Sequence, residues 1–328
     1  MEGVQPSIPQ NPTTAEARAT ELVPKGPGAN PTLAALAGND NVSFKPLVKH
    51  VVSKELILFF DKIRNAILDP DRDPEVVILR ESALESVRSD PGLHQLVPYF
   101  VNFVAEKVTH SLRDTFVLRQ MMELTAAMMA NKSLFIDPYV AALAPPVLTC
   151  IIGRHLGHEG VDSLKEQYQL RDLAASIMGR LAGKFQSSSL SLQPRLARTF
   201  LKAFLDPGRT AGEHYGAILG LAAIGGPEGV RTLMLPNIKP YEYAILKAHN
   251  ERGPADEGVS MIIAALIKAI MSIADDSEMM AKVSDEMDSD ADDAPALEAY
   301  LGTIIGSRIA RYGNRKLNKL ILESSEKS

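Results

Sequence analysis

From Ser53 onward the apolar residues recur at intervals of three and four, the spacing that lines one face of an α-helix. The interval of two that marks a half-buried strand is not sustained anywhere. In VSKELILFFDKIRNAIL, residues Leu56, Phe59, Phe60, Ile63 and Ile67 share one face, and Lys54, Asp61, Lys62 and Asn65 lie opposite. Ser53 stands where an N-cap belongs, and Asp69-Pro70 ends the helix. Four later segments share a proline just inside an apolar helix: HQLVPYFVNFV, AALAPPVLTCII, LSLQPRLARTFL and RTLMLPNI. Their prolines, Pro98, Pro146, Pro194 and Pro236, are spaced by 48, 48 and 42 residues, the period of a helix-pair solenoid. In a first turn proline costs little, because its missing N–H would have had no helical partner; deeper in, it bends the helix.

Between these prolines runs a second kind of helix, rich in Ala and Gly. It is predicted to open at Leu79, Leu112, Leu170 and Tyr215. Small side chains let such a helix approach its neighbours closely where a stacked array is most crowded. The resulting expectation is an all-α solenoid of about five helix pairs.

Composition bounds this reading. Of 328 residues 45% are apolar and 23% charged, enough to bury a sizeable core and to exclude wholesale disorder. Residues 1–46 are the exception: seven prolines and no apolar period read as a linker or tail. The body then runs over 47–274, an acidic loop over 275–295, and a capping helix with a short tail over 296–328. The formal charge of −5 argues against a chain whose main affinity comes from neutralising many phosphates. A single thiol, Cys150, cannot form an internal disulfide and fits a reducing compartment. The most apolar stretch, Val259 to Ile267, ends at Lys268, well short of the ~20 residues that span a bilayer, so no membrane partner is expected.

Several residues invite chemistry, and each has a plainer account. His155 and His158 stand near Glu159 and Asp162 but sit among glycines at a helix end, where histidine favours the negative pole of the dipole. Asp288, Asp290 and Asp292 start like a calcium loop, yet Asp293 and Ala299 occupy the places that need Gly and Glu. Cys150 lies in the apolar run VLTCII, where a thiol packs rather than reacts. GGPEG at 225–229 lacks the spacing and the lysine of a phosphate loop and reads as a turn. Met121, Met122, Met128 and Met129 read as core. No catalytic residue, cofactor site or metal site is assigned. One charge asymmetry stands out: Arg308, Arg311, Arg315 and Lys319 fall on one face of the last predicted helix, Ala296 to Leu322, with Lys316 beside it. This is a candidate contact for a partner or for DNA.

The pattern best kept in LRDLAASIMGRLA, from Leu170 to Ala182, after a proline-bearing helix and a turn, resembles the HEAT repeat. In such arrays the Arg171-Asp172 and Arg113-Asp114 pairs are expected to open second helices and bond the neighbouring repeat's equivalent, setting register. The ordered blocks at 53–63, 90–108, 139–157, 170–185, 192–207 and 214–238 further resemble the C-terminal HEAT domain of TFIID subunit six, a TATA-binding-protein-associated factor, of fungal type. That resemblance implies a nuclear, non-catalytic scaffold of TFIID, and in many fungi also of SAGA, whose partners are other subunits of those complexes and which serves RNA polymerase II preinitiation complex assembly. In the family a histone-fold domain precedes this region. Seven prolines in the first 46 residues cannot form that three-helix fold, so histone-fold pairing is not expected of this chain. The competing reading is a HEAT or armadillo adaptor in transport or trafficking. Such adaptors grip peptides with rows of Trp or Asn, and the absence of Trp counts against it.

Overall fold

The computed structural model describes residues 52–158, 161–185, 192–246, 257–276 and 293–325. These form helices and no strand, with four packed helix pairs followed by two further helices. The pairs are α1 (Lys54–Leu68) with α2 (Pro74–Ser89), α3 (Val97–His110) with α4 (Thr115–Ala130), α5 (Val140–Ile152) with α6 (Val161–Lys184), and α7 (Leu192–Leu205) with α8 (Ala211–Gly229); α9 (Leu235–Tyr241) and α10 (Glu257–Met271) come next, α10 packed on α8. Three short helices follow: α11 (Ala294–Leu301), α12 (Thr303–Arg311) and α13 (Arg315–Ser325). The Pro-rich segment 1–46 and the acidic run from 277 to 292 lie outside the described residues.

Successive pairs stack in two layers. The second helices form one row, α2 on α4, α4 on α6 and α6 on α8, which α10 continues. The first helices form the other, which α9 continues: Phe60 of α1 sits edge-on to Tyr99 and Phe103 of α3, α3 packs on α5, and Phe204 of α7 stacks on Tyr241 of α9 with ring centroids 4.3 Å apart. Phe100, Phe200 and Phe204 are fully buried between the layers, each contributing about 2–3 kcal/mol of transfer free energy before ordering costs. The four methionines of α4 belong to the same core. The row of second helices is tight because small residues line it. A Cβ on Gly179 of α6 would come within 2.7 Å of the Ala223 carbonyl oxygen of α8.

The prolines fall where their chemistry allows. Pro98, Pro194 and Pro236 lie in the first turns of α3, α7 and α9, and Pro145 and Pro146 lie inside α5. The GGPEG segment is a kink within α8 rather than a turn between helices. Gly226 adopts φ 58°, and the α conformation is disfavoured in the residue before Pro227. Register along the stack is set by polar contacts at helix ends. The Asn131 amide donates to the Val87 and Asp90 carbonyls, both at 2.9 Å, and Lys184 donates to the Met129 carbonyl at 2.8 Å, so the C-termini of α2 and α4 are each held by the next pair.

By length and composition two helical stretches, Ala211–Ala244 and Glu257–Asp275, are apolar enough to cross a bilayer, longer than the nine-residue run visible in the sequence. Here α8 packs on α5, α6, α7 and α10, and the second stretch on α8, as inner helices do.

The single closing helix predicted from Ala296 to Leu322 is instead three helices. Gly302 at φ 96° and Gly313 at φ 66° break it, and both conformations are disfavoured for side-chain-bearing residues. Glu242, just past α9, reaches across and accepts hydrogen bonds from Ile304 N at 3.0 Å, Ile305 N at 3.2 Å and Thr303 Oγ1 at 3.0 Å. One buried carboxylate thus caps α12 and ties the closing helices to the end of α9. Glu242→Leu leaves those amides unpaired, at an expected cost of about 2–3 kcal/mol. Hydrogen exchange in α11–α13 should accelerate while exchange in α1–α6 stays unchanged.

Candidate docking surfaces

The joint between the third and fourth pairs concentrates the molecule's buried charge. Arg171 is 1% exposed and donates to the Ile151 carbonyl and, at 2.8 Å, to the Gly153 carbonyl, so it caps the C-terminus of α5. Burial lowers its pKa to about 10, with Tyr168, Glu213 and Cys150 opposing the shift, and it stays a cation at neutral pH. Glu213 completes a capping box with Thr210 at the start of α8 and pairs with Arg209 at 2.9 Å and Arg154 at 3.4 Å. Burial pushes its carboxyl up, but the bonds from Thr210 and the arginines more than reverse this and hold it below the ordinary carboxylate range. Arg154 also donates to the Gly208 carbonyl at 2.7 Å, stitching the turn before α8 to the turn after α5.

This corrects the expected role of Arg171-Asp172. The pair does not open a second helix, because α6 starts ten residues earlier, at Val161, and the two residues stand mid-helix. Arg171 bonds the first helix of its own pair rather than an equivalent residue. Asp172 reaches the next pair, accepting from the Tyr215 hydroxyl at 2.7 Å. Of the other expected opening pair, Asp114 is the N-cap of α4 and accepts from Val117 N at 3.1 Å.

The basic stripe is also redistributed. Arg308 and Arg311 end α12, Arg315 and Lys319 belong to α13, and the turn at Gly313 parts them, so the four do not share one helical face. They form a corner instead. Arg308, Arg311, Tyr312, Arg315 and Lys316 are exposed around that turn and Lys319 is half-buried. Asn314 fixes the turn by accepting from Leu317 N at 3.1 Å.

The remaining candidates fall apart as chemistry. His155 and His158 are exposed past the end of α5, and the side chains of Glu159 and Asp162 lie outside the described residues. Cys150 is fully buried, and burial raises its thiol to about 12, with Arg171 pulling the other way. It is neither exposed nor a thiolate at neutral pH. The aspartates 288, 290 and 292 lie outside the described residues. Sequence reasoning missed Glu242, Glu213 and Asn131. Glu213 alone left a local signal, the Thr-x-x-Glu of a capping box.

What the molecule offers is surface laid out by stacking, and comparisons with known proteins agree with it. The family described as the TAF6 C-terminal HEAT repeat domain matches residues 48–239, from the start of α1 into α9. The chain is 39% identical to the SAGA complex/transcription factor TFIID complex subunit Taf6 of Schizosaccharomyces pombe, over 98% of this chain and 71% of that protein. It is 37% identical to transcription initiation factor TFIID subunit 6 of Arabidopsis thaliana, over 74% of this chain and only 41% of that relative. Among solved structures, the TAF6 C-terminal domain from Antonospora locustae superposes with a TM-score of 0.51 at 26% identity, covering 68% of this chain and 98% of that one. With helix pairs, stacking order and sequence in agreement, the chain belongs to the TFIID subunit 6 family, through its TAF6 C-terminal HEAT repeat domain.

Proposed function

We propose that this chain is a non-catalytic scaffold subunit of nuclear TFIID and SAGA-type complexes, docking other subunits along its HEAT array during assembly of the RNA polymerase II preinitiation complex. The observation that carries the reading is a relative named for both complexes, 39% identical over nearly the whole chain. The architecture supports it physically. Each pair contacts mainly its neighbours, so the array leaves more helix surface for partners than a compact globule of equal length would. The buried ionisable groups Arg171, Glu213 and Glu242 are spent on capping helices.

Affinity purification of the tagged gene product from nuclear extract tests this. TFIID and SAGA subunits should co-purify in constant proportion. Nuclear-pore or vesicle-coat proteins in their place would favour an adaptor outside transcription. The basic corner is proposed as one contact of the scaffold, with DNA phosphates or an acidic partner. The triple variant Arg308→Glu, Arg311→Glu, Arg315→Glu should weaken that binding and, for duplex DNA, reduce the salt slope by about 3. Unchanged affinity for both DNA and the co-purifying subunits would reduce the corner to ordinary surface.

A further inference from the structure

Helix α7 departs from the charge pattern of its neighbours. On α1, on α2 and just past α8, arginines have a carboxylate three residues away: Arg64 pairs with Asp61, Arg88 with Glu85 and Arg231 with Glu228. By contrast α7, LQPRLARTFLKAFL, carries Arg195, Arg198 and Lys202 and no acidic residue, in a chain whose formal charge is −5. The three cations recur at intervals of three and four, so they share one face. The opposite face is the one that packs, with Leu196, Phe200, Ala203 and Phe204 buried. Arg198 and Lys202 are exposed and Arg195 is half-buried.

The surroundings do not neutralise this stripe. Among the described residues no carboxylate forms an ion pair with Arg198 or Lys202. Asp206, at the end of the helix, is taken by the Gly208 amide at 3.0 Å and by Arg209 at 3.3 Å. Helix α5 has no charged residue, α9 adds Lys239 and no acid, and Glu242 just past α9 is turned to the amides of α12. Leu205 is 40% exposed and Leu201, one turn before it, is half-buried, so an apolar strip runs along the cations. Like charges one turn apart weaken a helix, and an anionic partner reverses the sign of that effect. Duplex DNA fits this face poorly. Three cations on about 10 Å of helix are fewer than the ~6–10 phosphate contacts of a typical binder, and Leu201 and Leu205 offer nothing to a phosphate.

We propose that the outer face of α7 docks an acidic amphipathic segment of another subunit, its carboxylates on Arg195, Arg198 and Lys202 and an apolar side chain on Leu201 and Leu205. Complementarity of this kind sets partner choice and encounter rate more than raw affinity. The acidic run of this same chain has its return end elsewhere: Asp293 accepts from Asn318 of α13 at 3.3 Å, next in sequence to Lys319 of the basic corner. The source of the segment rests on the function proposed above; the charge of the face does not.

The test is zero-length carbodiimide cross-linking of the tagged full chain with the proteins that co-purify with it, read by mass spectrometry, then titration of the full chain with a synthetic peptide of the segment found. The expected result is an amide bond between Lys202 Nζ and a glutamate or aspartate of another subunit. Charge reversal by Arg198→Glu with Lys202→Glu should raise the Kd of that peptide about tenfold or more. The neutral pair Arg198→Gln with Lys202→Gln should raise it by a smaller factor, and the charge-keeping pair Arg198→Lys with Lys202→Arg should leave it unchanged. Both side chains are exposed, so these variants should melt at the parent's temperature, and a loss of affinity then reads the face and not the fold. Lys202 linked only to carboxylates of this chain or of a second copy, Lys202 linked to nothing, a peptide indifferent to charge reversal, or a loss of affinity confined to duplex DNA would each overturn the proposal. If the co-purifying proteins are not subunits of TFIID or SAGA, the function proposed above fails, while the cross-link at Lys202 still reports on the face.

Discussion

Replacing Gly216 with alanine is expected to cost about 3 kcal/mol, and replacing it with valine to abolish the folded array. Gly216 lies where α8 crosses the C-terminal turn of α5. A Cβ built there overlaps the Ile151 carbonyl oxygen and comes to 2.9 Å from its carbon. Most oversized substitutions are absorbed by side chains changing rotamer. Here the obstacle is main chain, and that same carbonyl is already held by the Arg171 guanidinium, so α5 cannot retreat without releasing its cap. Thermal melting checks this, with a fall in Tm of about 8 °C for Gly216→Ala. Gly183 provides the control within α6: nothing lies within 4 Å of its Cβ direction. Gly183→Ala should therefore be neutral or slightly stabilising, as helix propensity alone dictates.

Removing Arg171 should rank next. Arg171→Leu keeps the aliphatic stem but leaves the Ile151 and Gly153 carbonyls without their donors. The expected loss is about 3 kcal/mol. Two effects oppose each other. Burying a guanidinium is costly, as its lowered pKa shows, and an apolar replacement removes that cost. The replacement also strands carbonyl oxygens at a helix terminus, one of them deep in the joint against α8. The second effect wins because the partner groups stay behind when the charge leaves. Arg171→Lys discriminates between charge and geometry. A single ammonium cannot serve both carbonyls with a flat fork, so lysine should recover less than half of the loss by Tm. Full recovery would mean that charge alone matters at this joint.

Much of the architecture was legible in the sequence because its signals were local and repeated. Pro98, Pro194 and Pro236 stand in first turns, and a proline in a first turn is visible without knowing the fold. The Ala- and Gly-rich helices could be picked out because close packing demands small side chains at recurrent positions. What escaped was non-local or conformational. Gly302 and Gly313 sit inside an unbroken apolar period, and a glycine does not announce from its neighbours whether its φ is positive. The periodicity therefore predicts one closing helix, with its arginines in one stripe. Glu242 finds its partners some 60 residues away, so nothing near it in the chain hints at a cap. Arg171 is recognisable in the sequence as a structural residue, but its partners, the Ile151 and Gly153 carbonyls, are not. The polar stretch VDSLKEQYQ hid the true start of α6, and a residue thought to open a helix was in fact positioned halfway along one, level with the end of α5.

These features share one physical logic. The buried charged side chains Arg171, Glu213 and Glu242 close helix ends, and the energy of stacking is drawn from apolar faces and from glycines that let main chains meet. On the function proposed above, partners meet surface distributed over successive pairs.

Hydrogen exchange of the full chain, measured free and then within the purified complex, tests that claim most directly. If the array serves as a scaffold, assembly should slow exchange on outward-facing segments of several helix pairs, including the outer face of α7 and the corner around Gly313, while the buried centres of α6 and α8 stay as they were. Protection confined to a single concavity, or a chain that exchanges identically in both states, would contradict it.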